Sequence, residues 1–274
     1  MLLLLSFDAT AEAIPEIVEL LETDRIRQAE QAVSNAVAAY DDQPFAYFWM
    51  TRYARRHAQA STPLSPADVA LRKGEMFAIL AKMSGFFGKY GLARKSRENF
   101  QHAADLEAQS PDMLRGMMIY YAQAPFIVGG SERKALDLAR KIGELNSFEG
   151  ALAFAAVDAG NGRLESAIEH YKQAVKQKPN DADAWFARAM TEEAAGQHGA
   201  ALQSFDRVLE IEAKHSQALF QSARIMIQQG ERLALAEQRM SHFIELLSTE
   251  LAAWRQRACS YLTATESRHA SCAQ

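Results

Sequence analysis

The sequence predicts an all-α fold: an α-solenoid of helical hairpins stacked as a right-handed superhelix and closed by a C-terminal capping helix. Three observations predict it. Close to a fifth of the 274 residues are alanine and only seven are proline. Alanine has the highest helix propensity, and its small side chain lets helix axes approach. Small and bulky residues recur at a constant interval, as at Ala155, Ala189 and Ala223. Glycine recurs in the same register at Gly162, Gly196 and Gly230, where one helix must turn into the next.

The remaining composition excludes several classes. The net charge is −4 and the pI about 6.0, which gives no support to a nucleic-acid surface. Two cysteines cannot build a disulfide framework. With 49% hydrophobic residues the chain is no disordered polar tract, and it is long enough to bury a core unaided. No apolar run is long enough to span a membrane.

The repeat is plainest over 148–249. Gly162, Ala167, Tyr171, Ala174 and Pro179 in one copy become Gly196, Ala201, Phe205, Val208 and Ala213 in the next. Gly230 continues the series, followed one residue out of register by Ala236, Met240 and Phe243. Alanine allows two antiparallel helices to touch, while Tyr171 and Phe205 fill the gap toward the next hairpin. Glycine tolerates the positive φ of the turn, and Pro179 cannot continue a helix. The pattern resembles the tetratricopeptide repeat, a helix–turn–helix unit of 34 residues. On that reading the repeats run over 13–46, 47–110 with an inserted helix, 111–147, 148–181, 182–215 and 216–249. A cap follows over 251–262, marked by Trp254, Ala258 and Tyr261. Together these make one domain over 13–262, with a polar tail over 263–274 expected to be disordered.

The N-terminal copies are more degenerate. Ala32, Ala39 and Pro44 keep the spacing of Ala167, Ala174 and Pro179, with Arg27 where a glycine is expected. An apolar run through Met76, Phe77, Leu80, Met83 and Phe87 predicts one helix, and Gly91, Ser96, Phe100 and Ala103 follow the second-helix spacing. In 111–147 the turn is expanded to Ala124-Pro125-Phe126-Ile127-Val128-Gly129-Gly130-Ser131. The run Tyr120 to Pro125, then Gly129-Gly130-Ser131 and Lys134-Ala135, is similar to an element of small bacterial tetratricopeptide proteins. That resemblance implies a fold and a compartment tendency rather than a mechanism.

The first twelve residues read as an incomplete signal peptide. A leucine run precedes two overlapping small-x-small cleavage sites, ending at Ala11 and Ala13, but no basic n-region precedes it. Export predicts a periplasmic or secreted protein. The alternative is an N-terminal leucine cap on the first repeat of a cytoplasmic one. In an oxidising compartment Cys259 and Cys272 can close a disulfide that ties the tail to the last helix, a loop contributing about 2–3 kcal/mol. Otherwise they are two unrelated thiols.

No catalytic constellation is legible. The seven histidines show no metal-ligand spacing, which predicts no metal site. Gly129-Gly130-Ser131 with Lys134 lacks the order of a phosphate loop, so no nucleotide or other cofactor is expected. It is either a glycine turn with Ser131 as N-cap or a specialised loop at the edge of the array. Arg52, Arg55, Arg56 and Lys73 form either a solvated helix face or a local site for an acidic peptide. Glu192-Glu193 is expected in exposed helical slots. The chain is therefore predicted not to be an enzyme.

The family resemblance implies that the second, fifth, ninth, twelfth and thirteenth residues of each repeat line a concave face. There the stripe Leu152, Phe186 and Phe220, with Met190, Arg224 and Ile227 beside it, forms the candidate protein-binding groove. The groove either takes an apolar segment of a protein or peptide partner, or is filled by the chain's own helices or a second copy. Family members that clamp chaperone tails carry Lys at the fifth position and Asn at the ninth. Leu152/Ala156, Phe186/Met190 and Phe220/Arg224 stand there instead, which argues against that clamp. The expected function is a non-catalytic interaction scaffold; the alternative is an accessory or regulatory subunit of a larger enzyme or envelope assembly.

Overall fold

A computed structural model describes residues 5–38, 63–84, 86–247, 252–264 and 272 of the chain. The described residues form thirteen α-helices and no strand. They are α1 (Leu5–Glu22), α2 (Ile26–Ala38), α3 (Pro66–Met83), α4 (Phe86–Leu106), α5 (Pro111–Gln123), α6 (Glu132–Leu145) and α7 (Ser147–Gly160). Then follow α8 (Leu164–Gln177), α9 (Ala182–Ala194), α10 (His198–Ile211), α11 (Ser216–Gln229), α12 (Leu233–Leu246) and α13 (Ala252–Ala264). The fold is all-α and of the solenoid class. Its packing gives two compact units, 1–161 and 162–274, divided at the turn between α7 and α8, whereas the repeat register alone reads as one domain.

In the first unit, α1 and α2 close over Ile17, Leu21, Ala29, Val33 and Val37. Arg27 does not occupy the turn, as the spacing had implied. Asp24 takes the left-handed backbone (φ 55°) there, a conformation Asp adopts more readily than most residues. Three ion pairs latch this hairpin to the next: Arg72–Glu30 at 3.1 Å, Lys73–Asp24 at 2.9 Å, and Lys95–Glu22.

α3 opens on a reciprocal cap. Ser65 Oγ accepts from Asp68 N at 3.0 Å, and Ser65 N donates to Asp68 Oδ2 at 3.2 Å. The predicted helix through Phe87 is shorter in the structure. α3 stops at Met83, where Ser84 N–H and Oγ both donate to Leu80 O, and α4 begins at Phe86. Gly91 therefore lies inside α4 rather than at a turn. The α3–α4 interface is built around Phe100. A Cβ at Gly74 or Gly116 would come within 2.7–2.8 Å of its ring, so the two glycines vacate the space it fills. Residues 47–62, read as part of this repeat, lie outside the described residues.

α5, α6 and α7 share a core of Leu114, Met118, Ala135, Ala139, Ile142 and Val157. Asn146 caps α7 by accepting from the N–H groups of Phe148 and Glu149. Arg115 on α5 pairs with Glu149 on α7 at 3.0 Å.

In the second unit, the helices pack in chain order from α8 to α13. Ala189 on α9 and Ala201 on α10 are fully buried, as are Ala223 on α11 and Ala236 on α12. Phe205 on α10 and Phe243 on α12 are also buried, their rings 5.7 Å from Phe186 of α9 and 5.2 Å from Phe220 of α11. Gly196 and Gly230 take positive φ at the turns the spacing marked. The capping helix α13 packs on α11 and α12, with Ala258 and Leu262 buried. From it Cys259 lies with its Cα 5.5 Å from that of Cys272.

One expectation is corrected. Glu192 is not in an exposed slot but only 1% exposed. Its carboxylate accepts from Arg188 Nε at 2.7 Å and from Ser204 Oγ at 2.6 Å, which joins α9 to α10. A charge tolerates burial only with such partners. The Arg four residues before it and a serine on the facing helix supply them. Glu193 is half-buried.

Tyr171 generates a pH prediction. Burial pushes its phenol from 10.0 up to about 12, against a smaller opposing hydrogen bond with Thr191. Below pH 10 the phenol is protonated in native and unfolded chains alike, and its contribution to stability is complete. Between about pH 10 and 12 the unfolded chain releases the proton while the native one holds it, so stability falls. The loss should approach roughly 2–3 kcal/mol. Urea unfolding across this range should show that Tyr171→Phe lacks this component of the alkaline loss.

Candidate functional site

The six groove residues fare differently. Leu152, in the first unit, is half-buried on α7. The other five belong to the second unit. On α9, Phe186 and Met190 are one turn apart on the same side of the helix, and both are half-buried. Phe186 lies against Phe205 and His215, with ring centroids at 5.7 and 5.0 Å. His215 is itself buried and caps α11, its Nδ1 accepting from Ala218 N at 3.2 Å.

On α11, Arg224 pairs with Glu193 of α9 and hydrogen-bonds to Gln221 and Gln228, both at 2.9 Å. Ile227, one turn further on, is half-buried. Phe220 is different. It is only 4% exposed, with Phe243 at 5.2 Å and Tyr261 of the capping helix at 5.8 Å. At this position the chain fills its own groove, and Phe220 is a core residue. What the second unit presents is the edge of Phe186, Met190 and Ile227 beside the Arg224–Glu193 pair.

A second feature, in the first unit, escapes the groove register. The expanded turn between α5 and α6 is a closed, pinned loop. Phe126–Val128 form one turn of 3-10 helix. Tyr120 Oη donates to Val128 O at 2.6 Å, Gly130 N to Pro125 O at 3.1 Å, and Ser131 N to Tyr121 O at 2.9 Å. Ser131 Oγ accepts from Lys134 N at 3.4 Å and caps α6. Gly129 carries φ 97°, and a Cβ on Gly130 would lie 1.7 Å from Ala124 O. Burial raises the Tyr120 phenol above its ordinary range, opposed by the nearby Arg97 charge, so it stays a donor. The bonds turn the loop's apolar residues outward: Phe126 is 92% exposed and Ile127 75%.

Beside this loop lies a cleft of about 410 Å³, lined by Arg97 and His102 of α4, Met117 and Tyr121 of α5, Gly129 and Lys134. A second hollow of about 370 Å³ shares Met117, Tyr121 and Lys134 and continues along Leu114 and Leu138. Lys134 Nζ sits 5.0 Å from the centre of the Tyr121 ring. The Pro-Phe-Ile-Val-Gly-Gly run marks the loop in the sequence, but nothing local marks the cleft, whose lining comes from α4, α5, α6 and the loop together.

Of the basic zone, Arg52, Arg55 and Arg56 lie outside the described residues, and Lys73 is engaged by Asp24. Among the described residues no three His, Cys, Asp or Glu side chains gather as a metal site. None of their helices is long and apolar enough to cross a membrane.

Residues 152–218 match the tetratricopeptide repeat family. A thermophilic TPR protein of Thermus thermophilus is 19% identical, over 72% of this chain and 99% of its own, with a TM-score of 0.53. A tetratricopeptide repeat protein from Parabacteroides merdae is 14% identical over 95% and 100%, with a TM-score of 0.49. MamA from Desulfovibrio magneticus is 15% identical over 64% and 94%, with a TM-score of 0.43. No curated protein sequence matches. At these identities the likeness is one of fold.

The pinned loop yields a prediction. Gly130→Ala should place a methyl group against the Ala124 carbonyl, open the loop and lower stability by about 2–3 kcal/mol. Amide hydrogen exchange should show lost protection at Gly130 and Ser131, with α9–α12 unchanged.

Proposed function

We propose that the chain is a non-catalytic interaction scaffold of tetratricopeptide type, which takes a protein partner on the α9–α11 surface of its second unit. The observation that carries this reading is the half-exposed pair Phe186 and Met190 on α9. Large apolar side chains left partly in water, beside a charged pair, suit the anchor-and-rim anatomy of an interface. Arg224 and Glu193 supply that polar flank, and Ile227 extends the apolar one. The repeat family matched over 152–218, which spans Phe186 and Met190, supports a protein rather than a small molecule as the ligand.

We further propose that the protein works in an oxidising compartment, periplasmic or extracellular. Two features support this: the leucine run followed by small-x-small sites at the N-terminus, and the 5.5 Å Cα separation of Cys259 and Cys272, within the range a disulfide requires.

Affinity capture from the native host, read by mass spectrometry, tests the first proposal. Phe186→Ser with Met190→Ser should abolish partner capture and leave helical circular dichroism unchanged; retained capture rejects this surface. Phe220→Ser should instead lower stability by about 3–4 kcal/mol, because it empties a buried aromatic site. Thiol titration of denatured, unreduced native material tests the second proposal. The expected result is no free thiol; two free thiols reject it.

A further inference from the structure

The cleft between α4 and α6 carries two cations, Arg97 and Lys134. Arg97 is half-buried, and its guanidinium lies over Gly129, 2.9 Å from where a Cβ would stand. Lys134 faces the Tyr121 ring. Neither makes an ion pair among the described residues. Two carboxylates of α4 also line the cleft: Glu98 lies 3.7 Å from Arg94, and Asp105 accepts from the Gln101 amide at 2.8 Å. Arg97 and Lys134 thus stand on a partly apolar floor of Met117 and Tyr121 without being drawn into an ion pair by either carboxylate. A charge held partly out of water gains most from an anion that reaches it.

The loop beside the cleft supplies the second half of the surface. Gly129 lines the cleft, and three and two residues earlier Phe126 and Ile127 stand in solvent on a turn that four hydrogen bonds hold in place. Holding two large apolar side chains outward is unfavourable unless something covers them. They stand outside the cleft, so a small anion in the cleft cannot reach them. Only a ligand that spans cleft and tip meets both.

We propose that this surface of the first unit docks a linear segment of a partner protein in which an acidic side chain adjoins bulky apolar ones. Arg97 and Lys134 hold the carboxylate over Tyr121, and Phe126 and Ile127 pack on the apolar neighbours. The site is formed by α4, α5, α6 and their loop, apart from α9 and α11, and it rests on the scaffold reading only for the class of ligand.

The test uses the full chain and a library of random linear peptides displayed on phage. Enriched peptides should carry Asp or Glu next to Phe, Leu, Ile or Trp. When titrated by fluorescence anisotropy, they should bind at least about tenfold more weakly to Arg97→Gln/Lys134→Gln and to Phe126→Ser/Ile127→Ser. Replacing the peptide's acid by its amide should have a similar effect. Phe186→Ser/Met190→Ser should bind as the parent does, which separates this site from the α9–α11 surface. The tip variant changes only exposed side chains, so it decides the matter even where the double cation variant does not fold. The proposal is overturned by enrichment without acidic residues, or by affinities that neither variant changes. Loss in the α9 variant alone overturns it too. So does tip-dependent binding to anionic phosphatidylglycerol vesicles in place of peptides, or conversion of a dimer to a monomer by the tip variant, which assigns the tip to a second copy.

Discussion

The whole architecture depends on how closely two helices can approach, and that distance is set by single methyl groups. Ala139 and Ala153 in the first unit, and Ala189, Ala201, Ala223 and Ala236 in the second, have almost no exposed surface. A larger side chain at any of them would push the hairpin apart, because a packed interior has no spare volume to absorb it. Once the axes are that close, the bulky residues have defined places. Phe205 and Phe243 are buried against Phe186 and Phe220 of the facing helices, and Phe100 fills the space that Gly74 and Gly116 leave. The turns follow from the same constraint, since short connections between touching helices need a left-handed residue at Gly196 and Gly230.

Polar groups are then fitted to what the close packing leaves. Glu192 is enclosed because α9 and α10 touch, and it is tolerated because Arg188 and Ser204 meet both its oxygens. Arg115–Glu149 and Arg224–Glu193 join the first helices of neighbouring hairpins, and each of these arginines is partly shielded from water. Shielding is what gives such pairs a contribution that exposed pairs, including the i,i+3 ones of this chain, do not make.

The two candidate surfaces arise where the regular pattern is interrupted. In the second unit the capping helix covers Phe220 but not Phe186, although the two occupy the same repeat position. In the first unit the expanded turn does two things. It carries Phe126 and Ile127 into solvent, and it lies over the end of the cleft through Gly129. Both surfaces are departures from the repeat rather than expressions of it, which is why family likeness alone does not describe them.

The sequence by itself determined the helical class, the repeat interval, the positions of most turns and the close-packing alanines. These are local or periodic properties, written in residue size and backbone preference at fixed spacing. It also marked the expanded turn, the Ser131 cap and the pairing partners Cys259 and Cys272 as candidates. Where glycine spacing was the only guide it misplaced a turn: α4 runs through Gly91, and Asp24 rather than residue 27 takes the left-handed turn. Only the tertiary structure decided which residues of one register face water. Burial depends on what the rest of the chain lays over a residue, so Phe220 and Glu192 went inside while Phe186 stayed partly out. The same reason hid the cleft: Arg97 and Lys134 stand 37 positions apart. They become one site only because α4 and α6 fold to either side of α5.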